Sequence, residues 1–386
     1  MAPHNDAASD GEGSPSSFNN PSFTSYMGSR RGNITPVDSQ SSLGSSVEQG
    51  TNEYNSSSNG TSHAGRTRNS RPLCPGVYVP TMCFFTPDTE DVDTAVIAQH
   101  AVRLARAGVA GLATQGSNGE AVHLTHSERQ LVTAVTRNAL NEHGFASMPL
   151  IVGCGSQSTR ETLQLCQEAY EAGGDYALVL PPSYYASLFA PSFETVTSYF
   201  NAVADRSPIP IIIYNFPGAV GGMDLSSDLI VQLSSHPNIV GVKLTCGNTG
   251  KLNRVAAATR KMSKQYDPWN PEFLVLGGSA DFLVQSLVAG GHGILAGLAN
   301  IAPKACIKTM DLYQRGQVLE AQEMQETLSS GDWTAIQGGV VGVKSGLESM
   351  MGYGGYARSP LPRPTSEQSK KWKEGYRELF ALEKSL

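Results

Sequence analysis

The chain has 386 residues, with 28 Lys and Arg against 34 Asp and Glu, for a formal net charge of −6. That mild acidity, without a block of Lys or Arg, argues against a nucleic-acid or anionic-membrane surface. Six scattered cysteines with no CxxC pair argue against a disulfide or zinc framework, and no apolar run approaches the roughly 20 residues of a membrane span.

The first seventy residues hold seventeen serines and almost no aliphatic runs, as in "DGEGSPSSFNNPSFTSYMGSRRGN". Such a composition buries too little apolar surface to offset the entropy of ordering, so residues 1–72 are predicted to be a disordered tail. The tail lacks the apolar stretch of a secretory signal. Asp6, Asp10 and Glu12 argue against a mitochondrial presequence and favour a cytoplasmic protein, while Arg30 and Arg31 keep a mitochondrial address open.

From Val77 onward, short runs rich in β-branched residues alternate with helix-period segments. The runs are VYVPTMC (77–83), GLATQ (111–115), LIVGCG (150–155), YALVLP (176–181), PIIIYN (210–215), IVGVKL (239–244), FLVLG (273–277) and GILAG (293–297). Their starts lie about 31 residues apart on average, the spacing of βαβ units in a parallel sheet. Eight such units predict an α/β fold, a closed (β/α)8 TIM barrel over 73–300. Thr125 to Glu128 and Ser158 to Glu161 read as capping boxes, and Gly108, Gly144, Gly173 and Gly290 as helix stops. A doubly wound sheet would place a Gly-rich phosphate loop after the first strand, where the chain reads "FFTPDTEDVD". Beyond Ile301, "PKACIKTMDLYQRGQVLEAQEMQETLSSG" and "SEQSKKWKEGYRELFALEKSL" read as helices around a "GYGGYARSPLPRP" loop, giving a C-terminal helical region over 301–386.

Active sites of such barrels lie at the C-terminal ends of the strands. The sixth run ends on a lysine, Lys243, whose nearest acids in sequence are Asp228 and Asp267. Strict alternation puts Gly241 and Lys243 inside the barrel and turns Val240 and Val242 toward the helices. Desolvation favours an uncharged amine, the form that attacks a carbonyl to make a Schiff base. A lysine paired with a neighbouring carboxylate, with Glu120 as the candidate, is the alternative. Tyr214 ends the fifth run on the same inward face as Ile212, where its phenol can relay a proton or merely close the barrel core. After the second strand, Gly116 and Gly119 allow a tight turn that exposes amides, and Ser117 and Asn118 add side-chain donors suited to a carboxylate. "PPSYY" carries Tyr184 and Tyr185 on a rim loop, at a subunit contact or over the pocket. His123 and His126 lack a third ligand at metal spacing, and no nucleophile elbow, dinucleotide or P-loop pattern occurs.

Together "YVPTMCFFTPDTEDVD", "GSNGE" (116–120), "PPSYY" (181–185), "YNFPG" (214–218), "GVKLTCGN" (241–248) and "GGHGILAGLANIAP" (290–303) resemble the dihydrodipicolinate synthase/N-acetylneuraminate lyase family of class I aldolases. The resemblance covers some 300 residues from about Gly76. It implies that Lys243 is the Schiff-base lysine and Tyr214 the proton relay, with Ser117, Asn118 and Gly116 around the pyruvyl carboxylate. It further implies that Tyr185, or its neighbour Tyr184, is lent across a tight dimer, that Leu295 sits at the substrate site, and that the protein is a homotetramer built as a dimer of dimers. No cofactor and no metal are expected, since the protonated imine serves as electron sink. One position departs from the synthases: Ala219 stands where they carry an arginine for the second substrate's carboxylate. The GSNGE and KLTCGN forms look closest to 4-hydroxy-2-oxoglutarate aldolases and to fungal 2-keto-3-deoxy sugar acid aldolases. The implied activity is reversible cleavage of a 2-oxo-3-deoxy acid to pyruvate and an aldehyde. Condensation of pyruvate in the manner of a synthase, or a non-catalytic 2-oxo-acid sensor, are the alternatives. Ala219, Cys246, Gly278, Ser279 and Leu295 are expected around the aldehyde half.

Overall fold

The computed structural model describes residues 71–189 and 192–386. The tail predicted over 1–72 therefore lies outside the described residues, apart from Arg71 and Pro72. Arg71 donates from Nη1 to the Asp175 carboxylate at 2.9 Å.

Eight parallel strands close into a barrel in chain order: β1 (Gly76–Pro80), β2 (Gly111–Thr114), β3 (Leu150–Gly153), β4 (Tyr176–Val179), β5 (Ile211–Asn215), β6 (Ile239–Leu244), β7 (Leu274–Gly277) and β8 (Gly293–Leu295). The ring is sealed by pairing of β1 with β8. The first seven connecting helices are α1 (Thr94–Arg106), α2 (His126–Glu142), α3 (Thr159–Glu171), α4 (Glu194–Arg206), α5 (Ser227–Ser234), α6 (Thr249–Met262) and α7 (Leu283–Val288). The eighth, α8 (Pro303–Gln314), packs on β1. Then come α9 (Val318–Met351), α10 (Ser366–Gly375) and α11 (Arg377–Ser385). The TIM barrel and the C-terminal helices read from the sequence are both present. Among the described residues, no helix is long and apolar enough to cross a membrane.

Local signals explain where these elements start and stop. Thr125 accepts from the Glu128 amide and Glu128 accepts from the Thr125 amide at 2.8 Å, so the α2 capping box is complete. At α3 only half of the expected box forms. Ser158 accepts from the Glu161 amide, but the Glu161 carboxylate bonds His126 Nε2 at 2.8 Å instead of returning to residue 158. Gly108, Gly144, Gly173 and Gly290 all hold φ between 82° and 95°, as helix-terminating glycines do.

Alternation along the strands makes two cores. Val79, Leu112, Val152, Val179, Ile211, Ile213 and Val242 face the helices. Tyr78, Ala113, Ile151, Leu178, Ile212, Tyr214, Leu276 and Leu295 fill the barrel. Val240 departs from the expectation that it would face the helices. Ile211 pairs with Ile239 but Ile212 pairs with Gly241, so Val240 is an extra residue in a β-bulge and packs against the interior cluster. The bulge resets the alternation, and Val242 and Leu244 still face outward. Gly241 is required where it is: a Cβ there would lie 2.7 Å from the Leu274 carbonyl oxygen.

Helix α9 continues past Gly331, where the helical signal ends, and it is broken at Gly339 (φ 55°, ψ −150°). Its glycines form a contact face. A Cβ on Gly331 would meet Leu379 at 2.8 Å, one on Gly338 would meet Trp372 at 3.1 Å, and one on Gly346 would meet Tyr376 at 2.8 Å. The small residues that weaken the helical signal are what let α10 and α11 approach.

Candidate active site

Lys243 and Tyr214 are register partners at the C-terminal ends of β6 and β5. Both point into the barrel, and Lys243 is only 4 % exposed. Its Nζ sits 4.3 Å from the centroid of the Tyr214 ring. That ring in turn stacks on Phe216, centroids 5.7 Å apart. Among the described residues Lys243 has no ion-pair partner. The carboxylate weighed as its partner, Glu120, is engaged by Lys344 at 2.6 Å.

The turn after β2 is closed by Gly119 N donating to Gly116 O (3.1 Å) and Glu120 N donating to Ser117 O (3.2 Å). Left-handed residues bracket it, Gln115 at φ 54° and Glu120 at φ 51°. Such backbone costs of order 1 kcal/mol for a residue with a Cβ, so each must be held by its surroundings. Gln115 is held through Nε2, which donates to Arg129 O and to Thr133 Oγ1 (2.7 Å). The turn can lie against β3 because residue 153 is glycine; a Cβ there would come within 1.8 Å of the Gln115 carbonyl oxygen.

A cavity of about 340 Å³ opens at this rim. Gly116, Ser117, Ser156, Gln157, Tyr214 and Ala219 are among its lining residues. Arg129 also reaches it, with its guanidinium donating to Gly153 O and Ala121 O. Lys243 is not among these lining residues; its Nζ lies over the ring of Tyr214, which is. A larger groove of about 730 Å³ lies outside the barrel, between α1, α8 and the C-terminal helices, and touches none of the strand-end residues.

The remaining sequence-predicted residues are spread around this rim. Asn118 turns away from the cavity: its Nδ2 lies 3.8 Å from Met82 Sδ, and a Cβ on Gly297 would meet it at 2.7 Å. Leu295 is fully buried in the barrel interior. Tyr184 and Tyr185 are 80 % and 61 % exposed and pack edge to face, on a loop whose Ser183 and Tyr184 amides donate to Gln157 Oε1. Ser279 donates to the buried Asp332 carboxylate on α9, whose pKa burial pushes up. Cys246 is partly buried, and Gly278 lies against Thr245, whose Oγ1 is buried without a hydrogen-bond partner among the described residues.

Asp332, Lys344 and Arg358, all from the C-terminal region, reach the rim without a motif in the sequence to mark them. Lys344 Nζ also donates to Tyr356 O at 2.9 Å, and burial pulls its pKa down against the opposing pull of Glu120. Arg358 donates to Glu128 at 2.5 Å, and that contact holds the Glu128 carboxyl down at about 2.

The inward amine and phenol lie on adjacent strands beside an amide-lined turn. A family model described as the dihydrodipicolinate synthetase family fits residues 75–377. The chain belongs to that family. A probable mitochondrial 4-hydroxy-2-oxoglutarate aldolase from Emericella nidulans is 55 % identical over 317 residues, covering 82 % of this chain and 98 % of the relative. An L-threo-3-deoxy-hexylosonate aldolase from Aspergillus niger is 49 % identical over 328 residues, with the same two coverages. Among solved structures, a dihydrodipicolinate synthase family protein from Coccidioides immitis superposes with a TM-score of 0.71 at 32 % identity, covering 82 % of this chain and 99 % of that one. The chain is thus an aldolase, a carbon–carbon lyase, of the dihydrodipicolinate synthetase family.

Proposed function

We propose that the protein reversibly cleaves a 3-deoxy-2-oxo sugar acid, a 3-deoxy-hexulosonate, into pyruvate and an aldehyde through a Schiff base on Lys243. The observation that carries this reading is the buried Lys243 amine, without an ion pair among the described residues, held 4.3 Å from the ring of its register partner Tyr214.

The chemistry follows from these groups. The amine attacks the C2 ketone of the 2-oxo acid and water leaves, giving an iminium. Tyr214 relays the proton of the C4 hydroxyl, its oxygen accepting that proton as its own passes to the substrate carboxylate or a water. The C4–O bond becomes a carbonyl, and the C3–C4 electron pair moves into the iminium to form an enamine. The aldehyde departs, C3 takes up a proton, and water hydrolyses the imine to free pyruvate and the amine. Ser117 and the amides from Gly116 onward hold the pyruvyl carboxylate; Asn118 acts by fixing the turn against Met82 and Gly297.

The aldehyde side of the cavity supports a neutral, hydroxylated product. Ser156, Gln157 and Ser183 offer hydrogen bonds, Ala219 brings no charge, and the Arg129 guanidinium is already committed to two carbonyls. The 55 % identical relative favours 4-hydroxy-2-oxoglutarate as a second reading. Pyruvate release from both acids, measured side by side, tests the choice: a kcat/KM higher for 4-hydroxy-2-oxoglutarate overturns the sugar-acid reading. Borohydride reduction with pyruvate tests the mechanism. The adduct is expected on the peptide containing Lys243 and is lost in Lys243→Ala; an adduct retained in that variant rejects the lysine.

The exposed Tyr184–Tyr185 pair supports a tight dimer that borrows Tyr185, assembled into a tetramer. Sedimentation of the wild type as a monomer would sink that assembly. Asp6, Asp10 and Glu12 support a cytoplasmic location; recovery of the protein in the mitochondrial fraction would overturn it.

A further inference from the structure

Glu120 follows Gly116 by four positions, and its carboxylate is one of the most enclosed charges among the described residues. Glu120 and Lys344 form an ion pair at 2.6 Å with side chains 1 % and 0 % exposed. Glu120 Oε2 also accepts from the Arg358 amide at 2.9 Å and contacts His123 Nδ1 at 3.1 Å. The Lys344 ammonium lies 4.5 Å from the Phe85 ring centroid and the Arg358 guanidinium 4.4 Å from the same ring. Arg358 further donates to His123 O at 2.8 Å. The βα turn that presents Gly116 and Ser117 is therefore gripped from outside the barrel, by α9 and the loop after it.

The grip falls on a residue that needs one. Glu120 carries a left-handed backbone (φ 51°, ψ 39°), and its amide closes the turn on Ser117 O. Without a partner, the carboxylate would have to move to water, and the left-handed geometry that ends the turn would lose its support. Neither Glu120 nor Lys344 lines the cavity, so neither touches the substrate.

We infer that Glu120 and Lys344 are positioning residues for the carboxylate of the 2-oxo acid: their ion pair fixes the turn that aims Ser117 and the backbone amides into the cavity. This rests on the aldolase reading above. Its consequence is a specific one. Loss of the pair weakens capture of the carboxylate more than it weakens imine chemistry on Lys243.

The test is a borohydride-trapping titration with pyruvate, reading the adduct on the Lys243 peptide, for wild type, Lys344→Met, Glu120→Gln and Lys344→Arg. Lys344→Met and Glu120→Gln are expected to raise the half-saturating pyruvate concentration by roughly 10- to 100-fold, the scale of a displaced binding group, with the adduct at saturation nearly unchanged. Lys344→Arg, which keeps the charge, is expected to recover most of the loss. Circular dichroism gates the comparison, and the isosteric Glu120→Gln stands in should Lys344→Met fail to fold. Half-saturation equal to wild type in either folded variant overturns the inference while leaving the aldolase reading intact. Unfolding of both variants assigns the pair to the fold alone and equally overturns it. Absence of an adduct in the wild type sinks the aldolase reading and this inference with it.

Discussion

Tyr214 and Lys243 face each other across the β5–β6 ladder, with the lysine nitrogen 4.3 Å from the centre of the phenol ring. The ring lies against the amine, and its hydroxyl is the only part that Tyr214→Phe removes. That variant keeps the stack on Phe216. It is expected to form the imine with pyruvate while turnover drops by about 10² to 10⁴, the usual cost of an acid/base group. Steady-state cleavage measured beside borohydride trapping checks this; unchanged turnover would remove Tyr214 from the mechanism.

Gly153→Ala should damage the site from below. The added methyl would press on the Gln115 carbonyl, 1.8 Å from its ideal position, so β3 or the turn after β2 must shift. Overpacking of this kind costs roughly 1–3 kcal/mol. Chemical denaturation should show that loss, together with a fall in activity larger than Gly144→Ala produces; alanine at Gly144 is strained by its φ of 87°, but nothing lies within 4 Å of the added Cβ.

Acid should destabilise the protein through a buried imidazole. His100 donates from Nε2 to Asn300 Oδ1 and accepts at Nδ1 from Tyr353, both at 2.9 Å, and burial pulls its pKa from 6.5 to about 3. The unfolded chain takes up a proton near 6.5 that the folded chain refuses. The stability this group supplies is whole above pH 6.5 and is lost as pH falls toward 3, by roughly 1.4 kcal/mol per pH unit. His292, pulled to about 4 by burial, adds a second such proton. Unfolding free energies at pH 7 and pH 5 should differ accordingly, and His100→Gln should flatten the slope by one proton. An unaltered slope in that variant would refute the assignment.

Ala219→Arg should change what the pocket accepts. A guanidinium beside Tyr214 would offer a bidentate partner to a carboxylate on the aldehyde half, worth about 1.5–3 kcal/mol. Cleavage of 4-hydroxy-2-oxoglutarate is expected to gain on 3-deoxy-hexulosonate by roughly 10- to 100-fold in the ratio of kcat/KM. A ratio that moves the other way would contradict the proposed placing of the aldehyde at Ala219.

Much of the barrel was legible because its signals are local. Isoleucine and valine runs such as "PIIIYN" mark strands, Thr125 and Glu128 mark a helix start, and positive-φ glycines mark the ends. Lys243 and Tyr214 were legible because a polar residue closing an apolar strand is conspicuous. The bulge at Val240 was not, since one extra residue in a strand leaves no trace in composition. Nor was the partner of Glu120: Lys344 lies in "GVVGVKSGLE", where glycines dilute the helical pattern, and no period links it to position 120. Asn118 carries the right donors for the cavity and is aimed elsewhere by Met82 and Gly297, a matter of packing that spacing does not encode.

The Glu120–Lys344 contact also orders events in time. Residue 120 leaves the ribosome long before residue 344 is made, roughly ten to forty-five seconds earlier at ordinary translation speeds. Throughout that interval the carboxylate lacks the Lys344 ammonium, however many strands have already been synthesised. Arrested nascent chains that stop short of Lys344 should therefore need far more pyruvate than chains that include it to reach the same adduct on Lys243. Maturation of the site is then set by the synthesis of α9 and the loop after it, not by closure of the ring.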